Sequence, residues 1–396
     1  MKKLMLITAV TLTSVSAFAS KARWNSLQNA EHISDIQRVF QDKPEEILNY
    51  EAATVEFGSA TGTTTAEGGF IRKMGDSAWS MYLGRPSTTF AASTGAAADS
   101  FAAAATVSGE SLTSAFNQAF AQANSLTLGY GSKAGDISWG TNVFYVANDF
   151  KSSQTFTGGE GATAEDLTVA SSEQNIAGIQ VGATNGTWDA QLRQGLMGKM
   201  ELNGLTSTTS AGVAAGIGNV EVESKNSTRV RGGYKMDTMY YYGSYAMGSG
   251  ELTTDAGTTE VDSTDLVVGV VNSMKKDGVD FFYGASIVVS EDKTEAGTTS
   301  KTNTTRVPLL VGLEAEVNTW LTLRGAVSQS LGALSSTKTT GSSNESLPAD
   351  TTSSLGAGFK MGKAMLDLTI GTGSTGTFGL DDDGDNFAQA ALTYNF

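Results

Sequence analysis

Six charged side chains sit on alternating stretches, each beside an apolar neighbour: Arg193, Arg229, Arg231, Asp280, Glu314 and Arg324. If the polar side of those stretches faces an aqueous interior, the charges set a field across it, which is how pores select ions. If they pair across neighbouring strands, they only fill the interior. The sequence leaves both readings open. A second concentration, Asp381-Asp382-Asp383-Gly384-Asp385, brings together hard oxygen donors of the kind calcium prefers, with Asp381, Asp383 and Asp385 as candidate ligands. Its glycine comes too early for an EF-hand loop and no distal Glu follows, so an acidic solvated loop is the competing reading.

Catalysis has little to work with. The chain has a single His, His32, and no Cys, which excludes zinc-thiolate sites, thiol nucleophiles and His-clustered metal sites. No nucleophile and base stand at a recognisable spacing, so no catalytic residue and no cofactor is expected. The 396 residues carry 26 Lys+Arg against 41 Asp+Glu, a net charge of −15, which argues against a nucleic-acid partner.

The elements that would position the charges are legible. Lys2 and Lys3 precede an apolar stretch from Leu4 to Phe18, and Ala17-Phe18-Ala19 supplies a small-x-small ending. This predicts a signal peptide over 1–19 with cleavage before Ser20. Removal of its two lysines takes the charge to (26 − 2) − 41 = −17. Residues 20–50 hold Ile33, Ile36, Val39 and Phe40 at helical spacing and form a periplasmic extension or a plug.

From residue 51 onward the period changes to two. Val279, Phe281, Tyr283, Ala285, Ile287 and Val289 share one face, while Asp280, Ser286 and Ser290 share the other. The same alternation runs through 186–196, 305–317, 320–331 and 363–373. Strands are expected to start near residues 52, 66, 77, 123, 136, 173, 186, 222, 238, 263, 278, 304, 319, 352, 363 and 385. Tight turns such as Gly75-Asp76 and Gly362-Lys363 alternate with long polar loops near 86–122, 149–172, 205–221, 253–262, 293–303, 334–351 and 375–384.

This predicts an all-β chain: a transmembrane antiparallel β-barrel of about 16 strands, within a range of about 14–18, over residues 51–396. Only a closed sheet satisfies every backbone group in hydrocarbon without leaving an edge. Trp79, Trp139, Trp188, Tyr240, Tyr241, Tyr242, Tyr283 and Tyr394 suit interfacial girdles. Leu112, Phe116 and Phe120 lie at i, i+4 and i+8 in the first long loop, one face of a short helix able to narrow the lumen.

The last strand carries a resemblance. Ala388, Ala390, Leu392, Tyr394 and Phe396 alternate with Gln389, Thr393 and Asn395, and the chain ends on Phe396. This resembles Gram-negative outer-membrane β-barrel proteins, the porins among them. The resemblance implies the cell outer membrane, with lipid and lipopolysaccharide around the chain. It also implies recognition of Tyr394 and Phe396 by the barrel assembly machinery. Porin-like diffusion of small hydrophilic solutes and ions is the function it implies, with a homotrimer as one assembly. Residues 35–44, Asp-Ile-Gln-Arg-Val-Phe-Gln-Asp-Lys-Pro, also resemble the N-terminal segment of long-chain fatty-acid transporters, departing from that family's Asn-Pro-Ala at Asp42-Lys43-Pro44-Glu45. That resemblance implies a plugged channel for hydrophobic compounds. A structural or adhesive surface barrel is the third expectation.

Overall fold

The computed structural model describes residues 20–60, 63–84, 106–107, 110–111, 124–150, 154–157, 166–208, 214–255, 257–296, 298–331, 335–339, 342–346, 350–372 and 386–396. Sixteen long strands form the wall. The first four are β1 (Ala52–Ala60), β2 (Thr63–Met74), β3 (Ser77–Gly84) and β4 (Asn124–Ala134). β5 (Ile137–Phe150), β6 (Ser171–Thr184), β7 (Trp188–Thr208) and β8 (Ala214–Met236) follow. Then come β9 (Met239–Thr254), β10 (Gly257–Lys276), β11 (Val279–Ala296) and β12 (Thr298–Glu316). β13 (Leu321–Leu331), β14 (Asp350–Met361), β15 (Ala364–Thr372) and β16 (Asn386–Asn395) complete it.

Each strand pairs antiparallel with its sequence neighbours, and β1 pairs with β16 from Ala52↔Asn395 to Ala60↔Phe387. The sheet therefore closes and has no free edge. Short turns collect at one end, where Gly75, Gly135, Asp237, Asp277 and Gly362 take positive φ. That is the geometry a two-residue hairpin requires and the reason Gly and Asp occupy it. The longer connections lie at the other end, two of them carrying small hairpins, 154–157 with 166–169 and 335–339 with 342–346.

Outward positions over the short-turn half are apolar and exposed, among them Val55, Leu128, Val143, Leu192, Val230, Val268, Ile287, Val327, Ile370 and Leu392. Apolar side chains outside and polar ones inside suit a wall surrounded by lipid. No helix among the described residues is long and apolar enough to cross a membrane.

Two expectations change. Residues 205–221, 253–262 and 293–303 read as loops, yet most of them continue the strands, and β7–β12 run to 16–23 residues. A crossing strand needs only about 9–11 residues. The extra lengths are Thr-rich and charged, so they avoid lipid but still favour the pleated backbone. Tyr240 and Tyr242 do not join a girdle. Their parity along β9 turns them inward, and Tyr240 donates to Asp189 Oδ2 at 2.8 Å.

Residues 20–51 lie inside the barrel. α1 (Lys21–Ser26) is capped by Ser20, whose hydroxyl accepts from the Arg23 N–H at 3.1 Å. α2 (Ile36–Gln41) is capped by Asp35, which accepts from the Gln37 N–H at 2.9 Å. A 3-10 turn at Pro44–Asn49 leads into β1. The apolar face expected from Ile36, Val39 and Phe40 packs with Ile47 and Tyr50 against Ile71, Ala78 and Tyr82 of the wall.

Candidate functional site: the occupied lumen

The inner segment meets every strand. On β1 and β2, Glu56 and Glu67 accept from Lys21 at 2.7 and 2.6 Å. Tyr82 of β3 takes a hydrogen bond from Gln37 and stacks on Phe40. Asn142 of β5 donates to the Val39 carbonyl at 2.6 Å, and Gln191 of β7 donates to Glu45. Arg231 of β8 binds Asp42 at 2.7 Å and also Glu31. Lys43 lies 5.4 Å over the Tyr240 ring of β9. Leu27, Ala30 and Ile33 form a core with Val271 of β10, Phe282 of β11 and Ala326 of β13. Glu314 of β12 accepts from Arg23 at 2.9 Å. Gln28 meets Ser354 of β14, Ser20 meets Asp367 of β15, and Asn25 meets Gln389 of β16.

β4 and β6 make contact through glycine. Gly131, Gly140 and Gly182 are register partners on three adjacent strands. A Cβ on Gly140 would stand 2.0 Å from the Pro44 carbonyl oxygen, and one on Gly182 would stand 2.0 Å from Glu45 Oε2. The three form a bare floor on which the 3-10 turn rests, and any side chain there would push it away.

Two ion clusters fasten the segment. In the first, Arg38 is fully buried and binds Glu31 at 2.8 Å and Asp42 at 2.7 Å, while Arg231 reaches the same two carboxylates from the wall. Arg38 also lies 5.2 Å over the Trp24 ring. Burial pushes Asp42 up, but Arg38 and Arg231 more than offset this and hold its carboxyl well below the usual range. Glu31 behaves in the same way: burial opposes ionisation, and Arg231 and Arg38 win. In the second cluster, Glu314 is shared by Arg23 and Arg324, and Arg324 also binds Asp367 at 2.5 Å.

Burial shifts other groups toward their neutral forms. Burial, reinforced by Glu46, pushes Glu45 up to about 8. Burial pushes Asp35 up to about 7, although Arg23 stands 3.6 Å away. Burial brings His32 down to about 4, and its ring packs at 4.8 Å on Phe282.

All six charged residues singled out in the sequence face inward. Arg231, Arg324 and Glu314 meet there around the inner segment. Arg193 lies 5.0 Å from the Phe144 ring, Arg229 is its register partner, and Asp280 accepts from Ser273 at 2.7 Å. Tyr394 and Phe396 face outward at the short-turn end, where Arg72 lies over the Phe396 ring. Residues 1–19, the constriction candidates Leu112, Phe116 and Phe120, and the acidic candidates Asp381, Asp383 and Asp385 lie outside the described residues. Sequence reasoning missed the partners Glu31, Arg38 and Asp42, and the glycine floor. The acid-Arg-acid pattern at positions 31, 38 and 42 was the available signal, whereas nothing local relates three glycines on different strands.

A closed sixteen-stranded sheet, apolar outside and polar inside, defines an outer-membrane β-barrel. No protein-family profile and no curated protein matches the chain. Among solved structures, CdiB from Escherichia coli is similar at 11% identity and a TM-score of 0.43, over 87% of this chain and 62% of that one. The chain thus spans about three fifths of that structure. The CymD monoaromatic hydrocarbon channel is similar at 7% identity and 0.40, covering 96% and 98%. The toluene transporter TodX from Pseudomonas putida is similar at 10% identity and 0.39, also covering 96% and 98%.

Proposed function

We propose that this protein is an outer-membrane channel held closed by its own residues 20–51 and opened when that segment loosens from the wall. The observation that carries the reading is the contact of one short segment with all sixteen strands at the short-turn end. The wall around it is polar and charged, which suits small hydrophilic solutes and ions. Of the charges that would bias an open pore, Arg231 and Glu314 are here engaged with the segment, so their first role is to hold it and selectivity appears once it moves.

One feature favours hydrophobic compounds as a second reading. Farther from the turns, Val146, Ile176, Met200, Leu202, Val220, Val222, Leu252 and Val261 face inward and form an apolar collar across β5–β10. An apolar permeant would rest there before passing the segment.

The test is single-channel recording in a planar bilayer, comparing the full chain with a variant lacking residues 20–51. The full chain is expected to stay mostly silent with rare openings, and the variant to give large, discrete steps. A full chain that conducts as steadily as the variant would overturn the closed-channel reading. Added monoaromatic hydrocarbon that blocks the variant's current would favour the second permeant class.

A further inference from the structure

We propose that the amino terminus freed by signal-peptide removal is itself a structural cation, seated in an acidic corner of the lumen wall. This rests on the cleavage before Ser20 that the sequence implies.

Glu56 and Glu67 are direct register partners on β1 and β2, and both are buried at 4% and 7% exposure. Two carboxylates placed opposite each other repel. Among the described residues Lys21 serves both, through its backbone N–H to Glu56 at 2.7 Å and its Nζ to Glu67 at 2.6 Å. Only the second of these brings a full positive charge. Beside this pair, fully buried Asp367 accepts from the Ser20 hydroxyl at 2.9 Å and from Arg324. Arg324 is shared with Glu314, which also takes Arg23. The corner therefore sets four carboxylates, Glu56, Glu67, Asp367 and Glu314, against three cations, Lys21, Arg23 and Arg324. Among the described residues it is one positive charge short.

Ser20 is where that charge would arise. It is fully buried, and its extended backbone, with ψ at 161°, leads into α1. Standard backbone dimensions put its nitrogen within about 6.5 Å of the Glu56 carboxylate. An opposite charge at that range favours the ionised amine. A signal-cleaving protease adds water across the Ala19–Ser20 amide. The carbonyl carbon of Ala19 takes the hydroxyl and departs as a carboxylate, while the Ser20 nitrogen keeps its electron pair and takes up protons to become an ammonium. An uncut chain keeps a neutral amide at this position and leaves the corner unbalanced. Processing thus supplies the last ionic contact between the inner segment and β1, β2 and β15.

Mass spectrometry of the protein isolated from membranes identifies the first residue, and reductive methylation of the folded protein across pH reads the amine. The mature chain is expected to begin at Ser20. Its α-amine is expected to label at least tenfold more slowly at neutral pH than in the unfolded chain. The labelling midpoint should lie at least about one unit above the ordinary α-amine value of about 8. Glu56→Gln should move that midpoint back down. A chain starting at another residue, or an amine that labels at the unfolded rate with an ordinary midpoint, would overturn the proposal. None of these readouts depends on conductance, so failure of the closed-channel reading is distinguishable from failure here.

Discussion

The half of the wall near the short turns and the half beyond it are built on the same strands with opposite polarity. In the first half, Leu192, Val230, Val268 and Ile287 point out and Gln191, Arg231 and Asp280 point in. In the second half, the outward positions carry Lys199 with Glu201 and Glu221, Lys225 with Glu251, and Lys301 with Glu291. Met200, Leu202, Val220 and Val222 point in. A strand alternates whatever surrounds it, and the surrounding medium decides which face is apolar. Lipid takes the apolar face of the first half, and water takes the charged face of the second. The contents follow the same rule: a charged segment sits in the polar half, and apolar side chains gather in the other.

The strongest way to break this arrangement is Arg231→Ala. It takes from Glu31 and Asp42 one of the two arginines that bind them and leaves Arg38 to hold both, and losing one partner of a buried cluster costs up to about 3–5 kcal/mol. Bilayer recordings should show frequent openings from a barrel that still resists detergent-gel unfolding. Unchanged silence would remove this cluster from gating.

A smaller effect separates the two outer surfaces. Val268→Arg places a charge on the lipid face and should cost about 2–4 kcal/mol in a urea unfolding series in bilayers. Lys225→Ala, on the charged surface farther out, should cost far less, because an exposed ion pair contributes little. Equal costs would mean that the lipid boundary is misplaced.

The smallest effect is graded with pH. Asp35 and Glu45 have folded values raised to about 7 and about 8. Their stabilisation is complete below the ordinary carboxylate range, near 4, and is lost as pH rises through 7 and 8. His32 has a folded value lowered to about 4, so its share is complete above about 6.5 and lost as pH falls through 4. Openings should therefore be rarest in the mildly acidic range and increase from pH 7 to 9. A flat open probability over that interval would count against neutral Glu45 on the Gly182 floor.

Much of the fold was legible because a lipid-facing strand writes its environment into every second residue. The sixteen strands, their antiparallel order and the inward side of Arg193, Arg231, Asp280, Glu314 and Arg324 follow from period two and from turn chemistry. The strand ends were less legible. Val220, Leu252 and Val261 alternate with Glu and Thr in the reverse sense, and Thr-rich charged stretches resemble loops when read alone.

The sequence alone determined a closed transmembrane sheet, a change of texture near residue 51 and the set of inward charges, because these depend on local periodicity. Tertiary structure decided what those charges do. Arg231 meets Glu31 and Asp42 about 190 to 200 positions away, and Asp367 meets Ser20 across nearly the whole chain. Gly131, Gly140 and Gly182 become a floor only when three strands lie side by side. Contacts of that kind depend on register and closure, which no single stretch of sequence encodes.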